Sequence, residues 1–367
     1  MKVLISNLRL HGQSGTETYV RDVAVELMRQ GHTPFVYSPH LGPMAEQLRS
    51  ASVCVTDDLS KIRVQPDVIH GHHAMETLAA LLHFPGTPGI FVCHDASAWH
   101  DTPPDFPRIL RYLAVDEACR DRMVLSGGIN EERVQILQNA VALDWFPIRS
   151  PLPVRPGRAL VFSNYVEREQ AAIVRKAVEK HGMQLELLGA RLGGASECPE
   201  KHLQKADLVF AKGRCVWEAI ATGCAAIALD AQGMGEIVTT SNFEHQRRNN
   251  FGRRLLQQPI TVESICQQIE RYDSSDAGSV TKRLRKEDCL SLRVNELCLL
   301  YESVIHEHRS ASVSCVEELQ AVSAAIQWWS RTRQAQNIEY QPGSPNEPSF
   351  TKWASDRYRQ WRSKWSW

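Results

Sequence analysis

The chain has no CxxC pair, no long apolar run, no excess of charge of either sign, and no G-x-G-x-x-G after its first apolar stretch. Each absence removes a class of protein. Ten cysteines are spread singly along 367 residues, which supports neither a zinc ribbon nor a thioredoxin-like pair. Several of them (Cys93, Cys224, Cys266) fall in apolar segments, where cysteine serves as a small hydrophobe. With no signal peptide, the expected compartment is the reducing cytoplasm. The apolar runs stay well short of the ~18–20 residues needed to cross a bilayer. Basic and acidic side chains balance at 42 each, so no overall field favours nucleic acid. Without the dinucleotide fingerprint and its acidic residue ~20 positions on, an NAD enzyme is not indicated. What remains is an ordinary globular composition, 43% hydrophobic and 23% charged, with length enough for two domains.

The first 147 residues alternate short apolar runs with amphipathic ones, which predicts a parallel sheet covered on both faces. Strands are expected at Val3–Ser6, Pro34–Tyr37, Ser52–Thr56, Val68–His70, Gly89–Cys93, Tyr112–Val115 and Val134–Leu137, and helices at Glu17–Gln30, Met44–Ser50, Met75–His83 and Ala118–Leu125. A linker at 148–157 carries Pro151, Pro153 and Pro156, a composition that favours extended, semi-rigid chain. A second α/β domain is expected over 158–308, ending in helices Val262–Tyr272 and Lys282–His308. Residues 309–367 form a helical extension ending in a basic, Trp-rich tail.

The densest signal lies in Ala206–Val238, ADLVFAKGRCVWEAIATGCAAIALDAQGMGEIV. An apolar strand, Leu208–Ala211, leads to the basic loop Lys212-Gly213-Arg214. A helix then starts near Cys215, carries Glu218 in its first turn and stops at Gly223. A second strand, Ala225–Leu229, opens into a glycine loop, Gln232–Glu236. Open α/β sheets bind ligands at the C-terminal ends of such strands. This block, with SGTETYVRDVAVELMRQGHTPFVYS near the N-terminus and PDVIHGHH, IFVCHD and QNAVALDWF between them, resembles the GT-B glycosyltransferases of the GT4-like (group 1) type. The resemblance covers roughly residues 1–306, and it rests on the order of the motifs across two half-chains.

The resemblance implies two Rossmann-like domains facing across a cleft and transfer of a sugar from a nucleotide-diphosphate donor, with retention of configuration. It implies that Glu218 holds the nucleotide ribose, that Gly233, Met234, Gly235 and Glu236 face the sugar and diphosphate, and that Gly15 lets the backbone approach the donor. His94, followed by Asp95 at the end of a strand, is placed by the resemblance at the transferred sugar. In this fold helix N-termini and basic side chains can stand in for a metal, and Lys212 and Arg214 are the candidates to face the diphosphate. No cofactor and no metal is expected. His70, His72 and His73 lack a fourth ligand at a recognisable spacing for zinc. The donor can be UDP-, GDP- or ADP-linked, and the acceptor is unidentified.

Two departures weaken the pattern. Position 210, where the family places the first glutamate of E-x7-E, is Phe210, and the stretch Ser163–Glu169 has no clean match to the usual arginine–lysine pair, with Arg168 the nearest substitute. The alternative reading is therefore a catalytically weakened GT-B protein acting as a binding or scaffold module. The tail, 351–367, sets Trp353, Trp361, Trp365 and Trp367 among five Lys and Arg. These rings can pack on the body or a second subunit, lie in a membrane interface as a peripheral contact, or stay unordered.

Overall fold

The computed structural model describes residues 1–12, 14–194, 196, 198–310 and 313–339; the Trp-rich tail lies outside them. Chain contacts separate two units, Met1–Ser314 and Cys315–Trp367. The first unit is α/β throughout and holds two sheets.

The first sheet is built from β1 (Lys2–Ser6), β2 (Thr33–Tyr37), β3 (Cys54–Thr56), β4 (Val68–His72), β5 (Gly89–Cys93), β6 (Ile109–Ala114) and β7 (Val134–Ile136). All pairings are parallel, in the order β3-β2-β1-β4-β5-β6-β7. The central strands β4 and β5 are buried along their whole length because helices cover both faces. Those crossovers are α1 (Gly15–Arg29), α2 (Pro43–Ser50), α3 (Ala74–His83) and α4 (Glu117–Asp121). Each predicted strand and helix of this half has a counterpart within a few residues.

After the irregular, proline-bearing stretch 148–157 the second sheet begins. It contains β8 (Arg158–Phe162), β9 (Gln184–Leu188), β10 (Leu208–Ala211), β11 (Ala225–Asp230) and β12 (Gly233–Ile237), in the order β12-β11-β10-β8-β9. Its helices are α5 (Arg168–Lys180), α6 (Pro199–Leu203), α7 (Arg214–Thr222), α8 (Phe243–Arg248), α9 (Val262–Glu270) and α10 (Ser274–Glu287). Two apolar layers sandwich this sheet, one around Trp217, Phe243 and Phe251, the other around Phe210, Val174 and Ile265.

Two expectations are corrected here. Gly233–Glu236 of the expected glycine loop lies in a strand: β12 pairs antiparallel with β11 through Leu229–Met234 and Asp230–Gly233, after the two-residue turn Ala231-Gln232. Asp230 Oδ1 accepts from the Ala231 amide at 2.8 Å in that turn. A Cβ on Gly233 would come within 2.7 Å of the Leu256 carbonyl, so the small residues there serve close backbone approach.

The single helix expected over Lys282–His308 is two. It breaks at Asp288–Cys289, where Val141 N–H donates to Asp288 O at 3.0 Å and Leu290 N–H donates to Val141 O at 2.9 Å. Asp288 is fully buried and accepts from Arg247 Nη1 at 3.0 Å. No proline or glycine marks this break, because long-range pairing makes it. The second piece, α11 (Leu290–Ser310), then packs on α1, β4, β5 and β6. Residues up to 308, expected in the second domain, are thus divided between the two sheets. The second unit contributes α12 (Cys315–Glu339).

Candidate active site

The loop after β1 is closed by one carboxylate. Ser14 caps α1, and Glu17 completes a capping box. The Glu17 carboxylate also accepts from the amides of His11 (2.8 Å), Gly12 (3.0 Å) and Ser14 (2.9 Å). Burial would raise its pKa, but these donors from Gly12, Ser14 and His11 hold it below the usual value. Gly15 is the first residue of α1, with open space where a Cβ would stand. Three amides of this loop are therefore already facing an internal anion.

At the ends of β4 and β5 lies a cluster of aromatic rings. His70, His72 and His94 surround the buried Tyr19 of α1, with ring centroids 6.0, 5.3 and 4.9 Å from it. His94 Nε2 is 2.8 Å from His72 Nδ1, and His70 Nδ1 is hydrogen-bonded to the hydroxyl of Tyr301 on α11. Burial, helped by Arg214, pushes His94 down to about 3, and burial takes His70 to about 3. These rings are neutral at any physiological pH.

Asp95 is committed to the backbone. Its Oδ1 accepts from Ser97 N (2.6 Å), Ser97 Oγ (2.7 Å) and Ala98 N (2.9 Å). Arg122 clamps the same loop through the Asp95 carbonyl at 2.6 Å. Beneath it sits a residue that the sequence reading missed, Asp101, 1% exposed, whose Oδ1 has no hydrogen-bond partner. Burial and the neighbouring Asp95 charge push its pKa up to about 7.

Among the described residues, one group has three metal-type ligand atoms close together: His73, His100 and Asp101, within 4.8 Å. Its chemistry argues against a cation. Leu8 N–H donates to His73 Nδ1 at 3.0 Å, so the neutral ring carries its proton on Nε2, 3.8 Å from Asp101 Oδ1. A metal there would have to displace that proton and leave an imidazolate.

On the second sheet, α7 starts one residue earlier than expected. Gly213 occupies the N-cap with φ of 58°, a left-handed conformation suited to glycine, and Gly223 ends the helix at φ of 104°. Arg214 is therefore helical and Glu218 lies one turn on, the i,i+4 geometry of an ion pair. Arg214 Nε donates to Glu218 Oε1 at 2.8 Å. Its Nη2 pairs with Asp22 of α1, whose side chain is 2% exposed. Burial raises Glu218, with Arg214 opposing, and the net displacement is upward. Lys212 pairs with Asp230 and lies 4.9 Å over the ring of Tyr165.

Arg214 thus brings together Glu218 and Asp22, and its charge reaches His94. Other links join the halves around it. Asn139 Nδ2 donates to Asn250 Oδ1 at 2.9 Å, and the same oxygen accepts from Trp217 Nε1 at 2.7 Å. Arg254 pairs with Asp121, and the charge of Arg253 reaches Asp95.

The Gly233–Glu236 segment is not gathered here in the way expected. Gly233, Met234 and Gly235 are buried, and Gly233 and Gly235 lie against the 255–258 backbone. Exposed Glu236 is paired with Arg271 at 3.2 Å. Asp22 could not have been found by motif, since its partner is 192 residues away. A charged residue on the buried face of an amphipathic helix was its one visible sign.

Residues 13–145 match the sequence profile of Glycosyltransferase Family 4. No curated protein sequence matches the chain. Among solved structures, a glycosyltransferase of Rickettsia africae ESF-5 is similar at 12% identity and a TM-score of 0.62, covering 83% of this chain and 98% of its own. An Anabaena protein solved in complex with UDP and glucose gives 14%, 0.61, 83% and 100%. Sucrose-phosphate synthase of Thermosynechococcus elongatus gives 11%, 0.57, 83% and 99%. With two α/β halves meeting at Arg214, the chain has the GT-B fold of these structures, and its first half is similar to Glycosyltransferase Family 4 over residues 13–145.

Proposed function

We propose that the chain transfers a hexosyl unit from a nucleoside-diphosphate sugar to an acceptor, with retention of configuration and without a metal. The observation that carries this reading is Arg214 of the second sheet, which holds Glu218 and is itself held by Asp22 of the first, with its charge reaching His94. A buried carboxylate can accept from both ribose hydroxyls, and a neutral imidazole can hydrogen-bond a sugar oxygen. Arg214 would compensate a departing diphosphate once a donor has drawn it from Asp22. Lys212 and Tyr165 flank the same strand ends. Same-face attack accounts for retention, because Asp95, the nearest carboxylate to His94 in sequence, is engaged in its own turn. The UDP in the Anabaena relative makes UDP the first donor to try, with GDP and ADP beside it.

A second reading has its own support. Glu17 fills the N-terminal amide nest, Arg214 is paired at both ends and Lys212 is held by Asp230. A chain whose ligand-gripping groups are satisfied among themselves suits a binding or scaffold module. Peripheral membrane contact through the basic, indole-rich 351–367 segment belongs with either reading, and none of the described helices is long and apolar enough to cross a bilayer.

Titration with UDP, GDP and ADP, followed by thermal shift, separates the two. A ligand that binds only the native state raises Tm in proportion to RT ln(1 + [L]/Kd). Donor hydrolysis or transfer, unaffected by chelator, supports the enzyme. No shift with any nucleotide at millimolar concentration overturns it.

A further inference from the structure

We propose that His72 is a positioning residue that sets the tautomer of His94, so that His94 presents its Nδ1–H as a hydrogen-bond donor to a bound sugar oxygen. The part concerning the sugar rests on the function proposed above; the part concerning the tautomer does not.

β4 and β5 are parallel neighbours with His72 opposite Val92. His94 is two residues beyond Val92, on the same face of the strand direction. The fully buried His72 ring therefore reaches His94 directly, Nδ1 to Nε2 at 2.8 Å. With Nε2 taken, Nδ1 is the nitrogen that His94 can offer a ligand.

Both rings are neutral: burial takes His94 to about 3 and His72 well below its usual value. Two neutral imidazoles carry one ring proton each, and only one proton can lie between them. If His94 donated, His72 would keep its proton on Nε2, which is enclosed and has no acceptor. Orphaned buried N–H groups are rarer than under-satisfied acceptors. The cheaper arrangement has His72 donating from Nδ1, which forces the proton of His94 onto its own Nδ1.

The groups around the pair do not reverse this. His70 is engaged by Tyr301, and Tyr19 brings only its ring within reach, its hydroxyl being unpartnered. Arg214 is neutralised by Asp22 and Glu218. His73 repels a proton on His72 only if it is itself protonated, and burial holds it neutral too, at about 2.

The full chain labelled with 15N-histidine tests this by two-bond proton–nitrogen correlation at pH 7, with His94 assigned through His94→Gln. The expected result is His94 protonated on Nδ1. In His72→Leu it should revert to the Nε2 form that free imidazole prefers, while His72→Asn, whose amide can donate from nearly the same place, keeps the Nδ1 form. In parallel, His72→Leu should lose roughly five- to tenfold in affinity for a nucleotide sugar, about one hydrogen bond, with affinity for the nucleoside diphosphate unchanged. His94 protonated on Nε2 in the unmodified chain overturns the proposal, as does an unchanged Nδ1 signal in His72→Leu. Should that variant fail to fold, the unmodified chain and His72→Asn decide it. If no nucleotide binds while the tautomer shifts as described, the functional reading fails and the positioning role stands.

Discussion

Arg214, at the first turn of α7, is held by Asp22, in the middle of α1, so a guanidinium from the second sheet is clamped by a carboxylate from the first. Its Nε simultaneously holds Glu218. All three side chains are at most 10% exposed. Removing the cation should be worse than removing either anion, because it leaves Glu218 without its partner and Asp22 with Arg21 alone.

Arg214→Met is expected to destabilise the fold by about 3–5 kcal/mol near neutral pH, the cost of breaking a buried pair from one side. The sign with pH follows from Glu218, whose pKa is already raised and rises further without Arg214. A carboxyl with a raised native pKa keeps its proton in the folded state above the unfolded value, so stability falls as pH rises through that window. The deficit of Arg214→Met against the unmodified chain should therefore shrink from pH 7 to pH 5 in urea melts. An equal deficit at both values removes Glu218 from the account.

Glu218→Gln keeps the shape and loses the charge. It should weaken nucleoside-diphosphate affinity by ~1–3 kcal/mol with the fold retained, measured by calorimetric titration. Unaltered affinity in the folded variant takes Glu218 out of the donor site.

Asp101 gives a separate pH signature. Its folded pKa of about 7 stands above the ordinary value of 3.8, so unfolding releases a proton between those limits and stability declines as pH rises from 4 to 7. Asp101→Asn should flatten that decline in the Tm profile. A profile parallel to that of the unmodified chain would show that Asp101 is ionised in the native state.

Asp95 distinguishes turn chemistry from acid–base chemistry. Asp95→Asn retains the oxygen that caps the 95–98 turn, whereas Asp95→Ala exposes three donors and should cost about 1–2 kcal/mol. If any transfer activity is found, Asn should preserve most of it and Ala should not. Equal loss in both would make the carboxylate a proton-transfer group after all.

Residues 351–367 combine four indoles and five basic side chains with one acid, Asp356. If the rings dock on protein, deletion of 340–367 lowers Tm or causes aggregation regardless of lipid. If they serve a membrane surface, the shortened chain keeps its Tm and loses sedimentation with anionic vesicles.

The parts of the fold that could be read from sequence were those with local causes. Continuous apolar runs such as Gly89–Cys93 and Leu208–Ala211 mark strands buried on both faces, and Gly31 and Gly223 mark helix ends. The strand β12 was hidden because Gly233-Met234-Gly235 reads as a flexible loop, while its glycines answer carbonyls of the 255–258 segment. The break at Asp288 was hidden for the same reason, its cause being Val141, far off in sequence. At the site, Glu218 and His94 stood in recognisable text. Asp22, Glu17 and Asp101 did not, since each acts through a partner or burial that no short spacing encodes.

The placement of α11 carries a consequence for how the chain comes to be folded. The helix that covers β4, β5 and β6 is made of residues 290–310, after the whole second sheet. During synthesis the first half emerges early, yet the patch of β4, β5 and β6 that α11 covers has no partner until residues 290–310 have left the ribosome. Where multidomain chains commonly mature domain by domain from the N-terminus, completion of this first half depends on a helix encoded after the whole second sheet.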